Sequence, residues 1–86
     1  MAETVQTGPR HLQVILERVD PAKNVARYYV LSVEPTLLAR KTLVRRWGRM
    51  GSAGRQRLEF FDSEGAATLA LETWLARKRR RGYAVK

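Results

Sequence analysis

Cysteine is absent from the 86 residues, which excludes disulfides, thiolate chemistry and cysteine-based zinc or iron–sulfur sites. Histidine occurs once, as His11, with no carboxylate pair or nucleophile beside it in the sequence, so general-base catalysis lacks a carrier. Ser32, Ser52 and Ser63 sit in no nucleophile motif. The expectation is a non-enzymatic protein that needs no cofactor or metal. Long apolar runs are missing as well. The longest weakly polar stretch, Ala66 to Leu71, is far short of the ~20 residues that cross a bilayer. Met1 to Pro9 lacks the apolar segment of a secretory signal, and the expected location is therefore the cytoplasm.

What is present is a folded-domain balance, with 44% hydrophobic and 29% charged residues. A chain of this length makes one domain with a thin core, hiding roughly 60–65% of its unfolded surface. The net charge of +9 is distributed unevenly. Acidic residues are absent from residues 40–57 and basic ones from residues 58–76, so the excess positive charge lies in Arg40 to Arg57 and Arg77 to Lys86. Thirteen of the seventeen basic residues are arginine. A guanidinium forks onto phosphate oxygens and stacks on flat rings better than an ammonium does, which suits a polyanionic partner.

Residues 1–10 show no periodicity and contain Gly8 and Pro9, so they are expected to form a disordered arm before a single domain over residues 11–86. Leu12 to Val19 and Val25 to Val33 are rich in aliphatic, β-branched and aromatic residues and flank the turn signal Asp20-Pro21, a hairpin pattern. Ala39 to Trp47 is a third strand candidate. Gly48, Gly51 and Gly54 then make a tight loop before Arg55 to Phe61 becomes extended again. From Asp62 the period turns helical. Asp62 is the expected N-cap, and Ala67, Ala70, Leu71, Trp74 and Leu75 form one apolar face. Gly82 is placed for a left-handed cap, and Tyr83-Ala84-Val85 could add a short edge strand. The fold class is α+β: an antiparallel sheet of four to five strands with one C-terminal helix packed on it.

On an extended strand Arg45, Trp47 and Arg49 share a face, which sets a flat indole between two guanidinium groups. An indole can stack on a base or sugar while its neighbours hold phosphates. Gly48 permits close backbone approach, and Gly51 and Gly54 give a loop whose N–H groups could meet a phosphate. Arg55, Arg57 and the cluster Arg77, Arg79, Arg80 and Arg81 would extend the electrostatic footprint. Trp74, on the helical apolar face, is expected in the core.

The tripeptide Trp47-Gly48-Arg49, the glycines at 51 and 54, the basic strand before them, the acidic-capped helix and the closing Gly82-Tyr83 resemble the WGR domain, over roughly Val25 to Lys86. That family includes free-standing bacterial proteins and parts of DNA-dependent poly(ADP-ribose) polymerases. The resemblance implies a sheet with one helix, tryptophan stacking on the sugar at a DNA break end, and basic neighbours holding the backbone. Trp47 would be the stacking residue and Arg45 and Arg49 its neighbours. No polymerase catalytic region accompanies them in these residues, so only binding is implied. The expected function is nucleic-acid binding, DNA foremost, with little sequence preference and a preference for ends or nicks. The alternatives are a protein module docking on an acidic partner and an RNA-binding protein.

Overall fold

The computed structural model describes residues 12–35 and 41–86. The chain forms β1 (Leu12–Asp20), a single 3-10 turn (Pro21–Lys23), β2 (Val25–Pro35), β3 (Lys41–Arg49), β4 (Arg55–Phe61), α1 (Glu64–Arg80) and β5 (Ala84–Val85). The strands make one antiparallel sheet in the order β4-β3-β2-β1-β5. This is the α+β architecture expected from the sequence, with the short edge strand included. The expected N-terminal arm and the beginning of the third strand at Ala39 and Arg40 lie outside the described residues.

Local chemistry explains the turns. Pro21 starts the 3-10 turn, where its fixed φ is already suitable. Asn24 closes it in the left-handed conformation at φ 55 and donates its N–H to the Pro21 carbonyl, a conformation its short polar side chain tolerates. The helix starts one residue later than the sequence suggests. Ser63, not Asp62, is the N-cap, and its hydroxyl accepts from the Ala66 N–H at 3.1 Å. At the other end Gly82 has φ 97; its N–H donates to the Arg79 carbonyl and that of Tyr83 to the Lys78 carbonyl. This crossed pair is a Schellman motif, and it turns the chain back so that β5 pairs with β1.

Cross-strand pairing divides the sheet into two faces. Leu16, Tyr29, Leu31, Val33 and Leu43 face the helix and are buried with Ala67 and Leu71. Leu16, Leu31 and Leu43 are wholly buried, each contributing roughly 1.5–3 kcal/mol. The small Ala67, and Ala70 beside it, let the helix lie close to the strands. Trp74 and Leu75 extend the same face. The opposite face carries Ile15, Val19, Val44, Leu58 and Phe60, and all of these except Val44 are exposed.

The loop after β3 is held from that opposite face. The Tyr28 hydroxyl lies within hydrogen-bond distance of the Ser52 and Ala53 carbonyls, 3.1 and 2.9 Å. Gly54, at φ 69, folds directly over the strand, and a Cβ there would collide with the Trp47 carbonyl and the Tyr28 hydroxyl. Gly51, at φ 89, has open space around it. Gly54→Ala is therefore expected to cost more than ~1 kcal/mol and more than Gly51→Ala, which adds backbone strain alone. Thermal melts would show it, at ~4–8 °C per kcal/mol for a domain of this size. Equal losses for the two variants would mean that the loop does not pack on the strand.

Candidate nucleic-acid interface

Arg45, Trp47 and Arg49 do share one face of β3, as strand periodicity requires, but that face is the one the helix covers. The three consequently end in different environments. Arg45 is buried at 8% exposure, with its guanidinium 3.9 Å from the centroid of Trp74 and 5.6 Å from that of Trp47. It donates to the Tyr29 hydroxyl at 3.0 Å. Its Nε lies 3.9 Å from a Glu59 carboxylate oxygen, too far for a hydrogen bond, so that atom has no hydrogen-bond partner among the described residues. The sequence casts Arg45 as an exposed phosphate holder. Here it is a spacer between two indoles.

Trp47 is half-buried and stacks on Tyr29, with ring centroids 5.7 Å apart and planes inclined by 14°. Tyr83 meets Tyr29 edge-on at 6.1 Å. Trp47, Gly48, Arg49, Arg27 and Tyr83 line a depression of about 280 Å³. That is near the lower end of the ~300–1,000 Å³ common for ligand pockets and suits a single ring or sugar. Among the described residues no carboxylate lines it. Arg49 is exposed, and two of its N–H groups reach the carbonyl and the side-chain oxygen of Asn24 at 3.2 and 3.1 Å. The hairpin turn thus orients this guanidinium.

Register adds residues that the sequence leaves unmarked. Arg18 pairs with Arg27 across β1 and β2, and Arg27 pairs with Arg49 across β2 and β3. These three arginines form a row on the same face as Trp47, with Cβ atoms of neighbours about 4.5–5.5 Å apart. The Arg18 side chain also passes beside Gly82. Lys78 is a further addition, its ammonium 4.5 Å from the Tyr29 ring centroid and 5.9 Å from that of Tyr83. Burial pushes its pKa below the usual lysine range, and the positive charges of Arg81 and Arg45 push the same way. Composition marks Arg18 and Arg27 only as scattered charges. Pairing across strands, which composition does not carry, is what aligns them.

The remaining sequence candidates are dispersed. Gly48 lies within β3 and does not turn the chain; a Cβ on it would meet the Gly54 Cα, so its role is to admit the loop. The loop turns at Gly51 and Gly54 instead. Arg55 and Arg57 are exposed on β4, opposite Trp47 and Arg45 in register. Arg77 lies over the Trp74 ring at 4.9 Å. Arg79, Arg80 and Arg81 are exposed at the helix end.

Compared with known proteins, residues 12–86 match the model of the WGR domain. The chain belongs to the WGR domain family. WGR domains are modules of a nucleic-acid-binding type found in proteins related to poly(ADP-ribose) polymerases. The match extends the sequence resemblance back from Val25 to include β1. Over 71 residues this WGR domain is 41% identical to the uncharacterized protein y4dW of Sinorhizobium fredii (strain NBRC 101917 / NGR234), a stretch covering 83% of the chain and 35% of that relative. The chain thus spans about a third of the relative's length. No solved structure matches.

Proposed function

We propose that this WGR domain binds DNA without strong sequence preference, receiving a terminal sugar or base against Trp47 and the flanking phosphates on the arginine row. The observation that carries this is the row itself. Arg18 stands opposite Arg27 and Arg27 opposite Arg49, and Arg27 and Arg49 line, with the half-buried indole of Trp47, a depression that no carboxylate lines among the described residues. Like charges opposed across strands destabilise a sheet, and a polyanion relieves that repulsion while releasing its own counterions. Stacking and phosphate contacts transmit little base identity. Binding is the whole role assigned to these residues.

The indole favours ends or nicks over continuous duplex. Within B-form DNA an incoming ring must displace a stacked neighbour, at a few kcal/mol per step. At a terminus one face is already free. The test compares affinity, at one salt concentration, for a linear fragment, the same fragment closed by hairpins at both ends, and a nicked version. Tighter binding to the linear and nicked forms is expected. Equal affinity for all three would leave a general basic binder and refute end recognition.

Salt dependence separates the arginine row from the helix end. Arg18→Gln with Arg27→Gln is expected to flatten the slope of log affinity against log salt by up to ~0.9 per lost phosphate contact. The same change at Arg79 and Arg80 measures how far the footprint continues along the helix. A slope unmoved by the first pair would place the phosphates elsewhere.

A further inference from the structure

We propose that β4 is a self-association edge through which two copies of this chain pair, antiparallel and about a two-fold axis at Leu58. β4 is the outer strand of the sheet, seven residues long, with every residue from Arg55 to Phe60 exposed. Among the described residues no strand lies beside its outer backbone donors and acceptors, and such an edge is a template for another strand unless its side chains forbid it. The side chains here select one partner in one register.

Antiparallel pairing about Leu58 sets Arg57 of one copy opposite Glu59 of the other, twice, by symmetry. Both residues lie on the helix-side face. On the opposite face the same register sets Leu58 against Leu58 and Gln56 against Phe60, joining the exposed apolar side chains of the two copies. Neighbouring registers that keep both helices on one side are electrostatically less favourable. An axis at Arg57 sets Arg55 opposite Glu59 twice but opposes two arginines at its centre, and one at Glu59 opposes two glutamates with no opposite-charge pair; like charges directly opposed across strands are unfavourable. Arg57-Leu58-Glu59 is therefore self-complementary, which an isologous two-fold interface requires. The assembly is one continuous sheet, twice as wide, with both Trp47 depressions on the same face.

The experiment uses the full chain freed of nucleic acid. Sedimentation over a range of concentrations is expected to show wild type passing from monomer to dimer. Arg57→Glu and Glu59→Arg should each remain monomeric where wild type is mostly dimeric, because each variant faces like charges across the axis. Mixed in equal amounts the two should recover association, since a heterodimer of one variant with the other again sets a carboxylate against a guanidinium at both symmetry-related pairs. A fold defect would not be cured by mixing. The absence of cysteine makes a second test clean. Opposed Cβ atoms about 4.5–5.5 Å apart need little adjustment to reach the ~3.5–4.5 Å of a disulfide. Leu58→Cys should accordingly cross-link under mild oxidation faster than Glu72→Cys, on the exposed side of the helix. Wild type that stays monomeric throughout, a mixture that fails to associate, or equal cross-linking rates would each overturn the proposal.

Discussion

Replacing Trp47 with alanine is expected to weaken binding to DNA fragments with free ends by about 1–3 kcal/mol, the range for loss of one stacking platform. The structure adds a second expected loss. Because the ring also stacks on Tyr29, its removal takes away an aromatic contact of about 0.5–1.5 kcal/mol beyond the area it buries. Affinity must therefore be measured on protein shown by a melt to be folded at the assay temperature. Trp47→Phe separates the two effects, since a phenyl ring keeps part of the contact with Tyr29 and offers a smaller platform to a ligand. Folded Trp47→Ala protein that binds DNA ends as tightly as wild type would remove Trp47 from the interface.

The second large effect concerns Trp74. Its truncation to alanine is expected to cost about 3 kcal/mol of folding free energy, the lower end of the range for a tryptophan in a core, because the ring is only half-buried. Part of that loss belongs to Arg45. With the guanidinium 3.9 Å from the Trp74 centroid and the residue 8% exposed, Trp74→Ala strips one cover from a buried cation that has a hydroxyl for its hydrogen-bond partner. A double-mutant cycle with Arg45→Met should accordingly return a coupling of about 1–2 kcal/mol, as expected for a desolvated cation–π pair. Urea unfolding of the four proteins measures it. Additive losses would show that the two side chains are neighbours without being energetically linked.

The two tryptophans illustrate what the sequence discloses. Helical spacing identifies Trp74 as a residue facing the core, and strand alternation identifies Trp47 as sharing a face with Arg45 and Arg49. Alternation does not say which face the helix covers. Both faces of this sheet are apolar at several positions, with Leu31 and Leu43 on one and Val44 and Leu58 on the other, so a period of two cannot choose between them. Arg45 therefore reads as exposed in the sequence and lies buried in the fold. The roles of Arg18, Arg27 and Tyr83 are not legible there for a related reason: the two arginines are aligned by the register of the hairpin, and Tyr83 joins Arg27 at the depression only through the turn at Gly82. The helix end is easier, because a glycine after a run of basic residues is a local signal. Its start is displaced by one residue, since Asp62 and Ser63 are both good caps and the backbone decides between them.

The Schellman turn at Gly82 has a consequence for when the proposed interface becomes complete. Residues 12–61 contain the whole row of arginines and the indole, yet one wall of the depression is Tyr83, positioned by the crossed bonds that the Gly82 and Tyr83 N–H groups donate to the Arg79 and Lys78 carbonyls. A product trimmed back to Arg81 by a carboxypeptidase carries every arginine of the proposed polyanion surface. It lacks the surface that confines what arrives. On the proposed function such a chain would be sticky before it is selective, and the Gly82 turn with Tyr83 is what separates those two conditions.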